Sequence, residues 1–164
     1  DGLDDADGGG ALPVASLDLA AVIPGGTASV TSASFHADGA LYANCDAAGV
    51  IRVVDALGGR LKKVVRTESF SASLLQYTHQ EHSVLCAGRR DNTVRYLSLY
   101  DDRYLRVFPG HAGRVTGLSM CPTNDSFLTT GEDHQMHMWE LGLPAQRPVA
   151  SLDLRTGSGR PPPC

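Results

Sequence analysis

The sequence predicts an all-β fold, and the observation behind this prediction is a repeated pattern of short strands. Three segments end alike, each as a turn followed by an alternating run: AGVIRVVD at 48–55, DNTVRYLS at 91–98 and DHQMHMWE at 133–140. Their last residues, Asp55, Ser98 and Glu140, lie 43 and 42 positions apart. A period of about 40–45 residues with four strands per unit is typical of a propeller blade. We therefore expect a partial β-propeller of about three four-stranded blades.

Four strands are predicted in each unit, because each contains four short runs bounded by turn residues. The first strands are ASVTSASF, SASLLQY and GRVTGLSM, and the turns HADG, THQEH and CPTND separate them from the second strands ALYANC, SVLCAG and SFLTTG. The third strands are the alternating runs above, and the fourth are RLKKVV, YLRVF and PVASL. The blades are expected at about 22–66, 67–108 and 109–152, between a flexible acidic N-terminal segment at 1–21 and a Pro/Gly-rich tail at 153–164.

Composition and charge argue against several classes of protein. With 164 residues, 42% of them hydrophobic, the chain is long enough to form a core. No apolar run approaches the roughly 20 residues of a membrane span, because Asp18 interrupts the best candidate. A net charge of −4 without clustered Lys and Arg is unlike a nucleic-acid-binding surface. The four cysteines form no C-x-x-C pair, and we expect reduced structural thiols in a reducing compartment.

The last unit carries a candidate structural network around the chain's single tryptophan, Trp139. On the third strand its ring would lie between neighbouring blades, and its indole N–H needs an acceptor once buried. We expect Asp133 in the turn to accept from His111 in the entering loop, His111 to donate to Thr129 on the second strand, and Thr129 to accept from Trp139. We call these four residues the blade network. Each link contributes about 1 kcal/mol net, and breaking a buried link costs more.

This unit resembles a WD-repeat blade. Gly110-His111 is followed 28 residues later by Trp139-Glu140, and Asp133 precedes Trp139 by six positions. The resemblance covers roughly residues 22–152 and implies a closed ring of about seven blades, of which this chain holds about three. It is weaker in the other units: the second has Leu97-Ser98 in place of Trp-Asp, and the first has Ala48 where the turn acid belongs.

A more specific resemblance covers residues 76–120. The phrases YTH, DNTVRYLSL, DDRYLRVFPGH and RVTGLSM occur there in order. They are similar to the second and third blades of the small WD-repeat subunit of COMPASS-type histone methyltransferase complexes, which also occurs in cleavage/polyadenylation and phosphatase complexes. The resemblance implies a non-catalytic scaffold in the nucleus, bound to protein subunits of a multi-protein complex and to chromatin only indirectly. The alternative is a WD-repeat module of another assembly, such as a ubiquitin ligase or a trafficking complex.

Three blades leave two blade faces and the sheet edges open. The sequence therefore predicts that the isolated 164-residue chain is prone to aggregate or only partly folded.

No catalytic, cofactor or metal site is expected, and neither are a membrane, a small-molecule substrate or a specific nucleic-acid sequence as partners. His134 and His137, like His79 and His82, form an H-x-x-H pair, but residues three apart on a strand point to opposite faces and do not converge on a metal. A pairing of Cys121 with His111 as nucleophile and base is disfavoured, because His111 is assigned to the blade network. The sequence also contains no G-x-x-x-x-G-K-[ST] phosphate loop.

A possible partner surface comprises Arg89, Arg90, Tyr100 and Tyr104. The two arginines fall in the turn before a third strand, and guanidinium groups suit carboxylates and phosphates. The tyrosines would add rigid apolar contacts. The competing interpretation is an ordinary solvated turn, so the surface is a hypothesis about contacts with an acidic peptide or protein.

Overall fold

The computed structural model describes residues 22, 25–67 and 69–155. It contains three antiparallel four-stranded sheets, each a meander in which consecutive strands pair. Sheet 1 comprises β1 (Val30–Phe35), β2 (Leu41–Asp46), β3 (Val50–Asp55) and β4 (Arg60–Arg66); sheet 2 comprises β5 (Ala72–Tyr77), β6 (Ser83–Gly88), β7 (Val94–Ser98) and β8 (Tyr104–Phe108); sheet 3 comprises β9 (Val115–Met120), β10 (Ser126–Gly131), β11 (Gln135–Glu140) and β12 (Ala150–Asp153). The predicted all-β partial propeller of about three blades is confirmed.

The sheets pack in sequence order through their first strands. β5 lies against β1 and β2, and β9 lies against β5 and β6. Hydrogen bonds join the first two sheets directly, since the Ser34 hydroxyl accepts from the Tyr77 backbone N–H at 3.1 Å and the Ser32 hydroxyl accepts from that of Leu75 at 3.1 Å. This nesting of first strands is the arrangement of neighbouring propeller blades.

Two hydrophobic cores fill the spaces between the sheets. The first joins sheets 1 and 2, and the second joins sheets 2 and 3. Sheet 2 is therefore covered on both faces, and its strand β6 is buried at every position. Cys86 of β6 points into the first core, whereas its neighbours Leu85 and Ala87 point into the second. Because alternate side chains pack into opposite cores, the sequence of β6 is a nearly continuous apolar run.

The two ends of the sheets carry different turns, and the candidate site residues are described below by the end at which they lie. End A, as we name it, holds the turn from β5 to β6 and the turn from β7 to β8. End B holds the turns from β2 to β3, β6 to β7 and β10 to β11, together with the loops that lead from one sheet to the next. No described segment forms a helix long and apolar enough to cross a membrane. The proposed segment 1–21 and all but residues 153–155 of the proposed tail lie outside the described residues.

Two turn glycines offer a matched test of packing at the sheet ends. Gly39 and Gly49 both have positive φ, of 74° and 78°. A Cβ on Gly49 would lie 2.9 Å from the Ser71 Cα, whereas a Cβ on Gly39 would meet nothing within 4 Å. We expect Gly39→Ala to lower the free energy of unfolding by about 1–2 kcal/mol, the cost of left-handed backbone. Gly49→Ala should cost about 1–3 kcal/mol more, because backbone atoms must move. Urea denaturation of both variants measures the difference, and equal losses would contradict the assigned contact.

Candidate functional site

The blade network lies at end B of sheet 3 and extends into the second core. His111 is in the loop between β8 and β9, Asp133 is in the turn between β10 and β11, and Thr129 and Trp139 are on β10 and β11. The antiparallel register pairs Phe127 with Trp139 and Thr129 with residue 137, so the indole and the hydroxyl lie near each other on neighbouring strands. The structure thus brings together all four residues of the network.

The distances form an unbroken hydrogen-bonded chain. The Trp139 Nε1 donates to the Thr129 Oγ1 at 2.9 Å, and Thr129 Oγ1 lies 2.8 Å from the His111 Nε2. The His111 Nδ1 lies 3.0 Å and 3.1 Å from the two oxygens of the Asp133 carboxylate. Trp139 is 1% exposed and packs edge-on against Phe108, at a ring-centroid distance of 5.5 Å, so the chain ends in the interface between sheets 2 and 3.

The geometry determines the direction of the middle link. Burial lowers the pKa of the His111 ring despite the opposing effect of Asp133, so the ring is neutral at pH 7 and carries one proton. That proton belongs on Nδ1, because a bare nitrogen beside two carboxylate oxygens would be repelled. Thr129 therefore donates its hydroxyl proton to the His111 Nε2. This is the reverse of the direction that the sequence suggested.

Asp133 has a second function, which is to hold the turn. Its Oδ2 accepts from the Ala112 backbone N–H at 2.8 Å, and its Oδ1 accepts from the Gln135 backbone N–H at 3.1 Å. Burial raises the pKa of the Asp133 carboxyl, but these two N–H groups and the His111 ring lower it by more, to about 2 from an ordinary value of 3.8. Asp133 is thus ionised at neutral pH and joins the entering loop to the β10–β11 turn.

Two glycines, Gly110 and Gly131, allow this close packing. A Cβ on Gly131 would lie 2.6 Å from the His111 Nδ1, and a Cβ on Gly110 would lie 2.9 Å from the Trp139 ring. Each glycine directly borders a network residue or its turn in the sequence. The available signal was therefore a glycine at the end of β10 and another immediately before the histidine.

The first two sheets fix their end-B turns with arginine instead of histidine. In sheet 1 the acid is Asp46, two residues before the predicted position at Ala48; its Oδ1 accepts from the backbone N–H of Ala48 and Val50, and its Oδ2 accepts from Arg52 at 2.7 Å. In sheet 2 the Asp91 carboxylate accepts from Arg95 at 2.6 Å. A signal was present in both units as an acid followed by an arginine four or six residues later.

The residues of the predicted partner surface are not brought together. Arg89 and Arg90 follow β6 at end B, whereas Tyr100 follows β7 at end A and is 81% exposed. Tyr104 begins β8, and its ring packs edge-on against Phe70 at 5.5 Å. The strand β7 separates the arginines from Tyr100, so the four residues belong to two different surfaces.

At end A, Tyr100 borders a recess of about 220 Å³ between sheets 1 and 2. Leu41, Val53 and Leu99 contribute buried apolar walls. Lys63 closes one side, where its Nζ donates to the Leu99 carbonyl at 2.5 Å and to the Tyr100 carbonyl at 3.0 Å. These bonds hold the β7–β8 turn against sheet 1 and present the Tyr100 ring to solvent.

The remaining candidates from the sequence are His79 and the cysteines. The His79 Nε2 lies 2.8 Å from the Cys121 carbonyl and 3.0 Å from that of Asn124, so it joins sheets 2 and 3. The thiols of Cys45 and Cys86 are buried, whereas Cys121, directly after β9, is only half-buried. Hydrogen bonding, chiefly with Thr123, lowers the pKa of the Cys121 thiol to about 7.

Comparison with known proteins gives one family match and several relatives. Residues 102–140 match the family model described as "WD domain, G-beta repeat". The chain is 29% identical to WD repeat-containing protein 82 of Drosophila melanogaster over 149 residues, which are 85% of this chain and 47% of that protein. It is 33% identical to Set1 complex component swd2 of Schizosaccharomyces pombe over 116 residues, 70% of this chain and 32% of that protein.

A third relative is COMPASS component SWD2 of Saccharomyces cerevisiae, 26% identical over 115 residues, which are 70% of this chain and 35% of that protein. The matched regions thus span between about a third and a half of these relatives.

Proposed function

Because the chain carries WD repeats on a partial β-propeller, we propose that it acts as a non-catalytic scaffold subunit of a nuclear chromatin complex. The complex would be a histone lysine methyltransferase assembly of the COMPASS type, or one that acts in transcription termination and 3′-end processing. The observation that carries this proposal is the similarity, over 70% of the chain in each case, to two proteins named as components of the Set1 complex and of COMPASS.

The chemistry of the candidate site supports a structural role. The acid, base and hydroxyl of the last blade, Asp133, His111 and Thr129, all bond to one another or to backbone groups. The most acidic thiol of the three described cysteines, that of Cys121, lies beside the Thr123 hydroxyl at 3.4 Å. Groups that would perform acid–base chemistry in an enzyme are used here to hold loops, which suits a rigid scaffold that presents its turns to partners.

Tyr100 is the proposed centre of a partner surface at end A. An exposed aromatic ring beside an apolar recess is the kind of residue that contributes most to a protein interface. The backbone around it is already held by Lys63, so little further ordering is needed on binding. Arg89 and Arg90 at end B would form a second, separate contact with an acidic segment.

Affinity purification of the tagged chain from nuclear extract tests the proposed function. We expect recovery of a methyltransferase, phosphatase-targeting or cleavage-factor subunit. Tyr100→Ala should lower this recovery at least about tenfold, which corresponds to about 1.4 kcal/mol. Leu152→Ala, an exposed change on the edge strand β12 and outside both proposed contacts, serves as the control and should leave recovery unchanged. Recovery of no such subunit would contradict the scaffold proposal, and equal recovery by Tyr100→Ala would contradict the end-A surface alone.

A further inference from the structure

His137 is a buried histidine, one nitrogen of which has no partner among the residues that the structure describes. It lies on β11, is 7% exposed, and its Nδ1 lies 2.8 Å from the Ser151 hydroxyl oxygen. Its Nε2 is the nitrogen that finds no hydrogen-bond partner in this part of the chain. A buried polar atom without a partner is costly and is a sign of an unassigned ligand, ion or water.

His137 belongs to a cluster of metal-ligating side chains. His111, Asp133 and His137 each offer one ligand atom, and these atoms lie within 4.8 Å of one another. The two imidazole rings are adjacent, with centroids 4.3 Å apart. We propose that His111, Asp133 and His137 form a zinc-binding site at end B of sheet 3.

The donor set favours zinc over harder cations. Two imidazole nitrogens and one carboxylate oxygen form a set that zinc uses with a fourth, open position for water or another ligand. Calcium and magnesium prefer oxygen ligands alone. The three ligands come from a loop, a turn and a strand, which explains why the H-x-x-H pairs of the sequence did not indicate the site.

His137 is already oriented for coordination. The His137 Nδ1 lies 2.8 Å from the Ser151 hydroxyl oxygen, and in the tautomer that donates from Nδ1 the Nε2 lone pair is free to bind a metal. Ligating histidines commonly have such an outer partner, which fixes the tautomer and the ring orientation. Ser151 lies on β12, so the edge strand of the sheet positions the ligand.

The geometry requires only a small adjustment. Bonds of about 2.0–2.1 Å in a tetrahedral site place ligand atoms about 3.4 Å apart. The His111 Nδ1 and the nearer Asp133 oxygen are already 3.0 Å apart, and one ligand atom from each of the three residues lies within 4.8 Å of the others.

The blade network survives metal binding through a change of tautomer at His111. Coordination through Nδ1 requires the proton there to leave, and the neutral ring then carries a proton on Nε2 instead. That N–H donates to the Thr129 Oγ1, now in the direction opposite to that in the metal-free protein. The oxygen has two lone pairs and accepts from both His111 and Trp139, while the Thr129 hydroxyl proton loses its former acceptor, which is a cost of metal binding. No charge is left on the ring, so the buried position stays compatible with binding.

Zinc titration of the purified full chain tests the proposal, because Trp139 is the only tryptophan and its ring centroid lies 5.9 Å from that of His137. We expect one Zn²⁺ per chain after gel filtration, and quenching of Trp139 fluorescence when Cu²⁺ replaces zinc. His137→Phe keeps an aromatic ring but removes the ligand, and should weaken zinc binding by more than about 100-fold. The matched control, His82→Phe, alters an exposed histidine outside the cluster and should bind as the wild type does.

A second variant keeps the test decisive if His137→Phe does not fold. Ser151→Ala removes only an exposed hydroxyl and should weaken zinc binding about tenfold by releasing the His137 ring. Absence of saturable 1:1 binding in the wild type would overturn the proposal. Undiminished binding by a folded His137→Phe, or by Ser151→Ala, would also overturn it.

Discussion

Replacing Trp139 with alanine should lower the free energy of unfolding by about 3–5 kcal/mol, the largest effect we expect from any single change. The side chain is 1% exposed and fills the second core between Phe108 and Phe127. Its removal leaves a cavity between sheets 2 and 3. It also removes the indole N–H that donates to the Thr129 Oγ1. Urea denaturation followed by far-ultraviolet circular dichroism measures the loss without relying on the tryptophan itself.

Two further variants separate packing from hydrogen bonding at this position. Trp139→Phe keeps an aromatic ring but lacks the indole N–H, and we expect it to recover part of the loss and leave a deficit of about 1–3 kcal/mol. Leu57→Ala, at a side chain 86% exposed, should change stability by less than about 0.5 kcal/mol. A Trp139→Ala variant as stable as Leu57→Ala would show that sheets 2 and 3 do not pack through this ring.

Asp133→Asn should destabilise the fold by about 2–4 kcal/mol at pH 7 in buffer with a chelator. The carboxylate accepts from the N–H groups of His111, Ala112 and Gln135. In the asparagine variant the side-chain NH₂ group would face one of these N–H groups, so that a donor meets a donor. The remaining N–H groups lose a charged acceptor, and the bonds from His111 and Gln135 are part-buried. Urea denaturation gives the difference, and Asp125→Asn in an exposed turn is the matched control, with little change expected.

The same carboxylate predicts how stability depends on pH. Its folded pKa of about 2 lies below the ordinary 3.8, so its contribution is present above about pH 4 and is lost as the pH falls towards 2. A shift of this size corresponds to about 2 kcal/mol. The lowered pKa of His111 acts in the same direction, because the unfolded chain takes up a proton below 6.5 before the folded chain does. Asp133→Asn should therefore lose less stability between pH 4 and 2 than the wild type; parallel curves would contradict the assignment.

Much of the strand arrangement was predictable because alternation and turn residues are local signals. The predicted runs SVLCAG, YLRVF and SFLTTG coincide with β6, β8 and β10. The last predicted run, PVASL, starts two residues before β12 and ends one residue before its end, since β12 is Ala150–Asp153 and begins only after Pro148, whose ring provides no N–H for the ladder. Local patterns therefore located the strands better than their exact ends.

The candidate site could be predicted only in part from the sequence. The residue types of the blade network followed from the spacing of His111, Asp133 and Trp139, but the direction of its middle link depended on which nitrogen faces two oxygens. The turn acid of the first blade was missed, because Asp46 lies two positions from the place that the third blade suggested. Its function became visible only with Arg52 beside it.

The all-β class, the number of sheets and the strands within them can be inferred from the amino-acid sequence alone, because each depends on a period-two pattern and on turns a few residues long. Which residues meet at the ends of the sheets became visible only in the folded protein. The fold separates Arg89 and Arg90 from Tyr100. It also places His137 of β11 beside His111, which lies in the loop between β8 and β9. The physical reason is that such contacts depend on how neighbouring sheets and loops pack against one another in space, and no spacing along one strand encodes that packing.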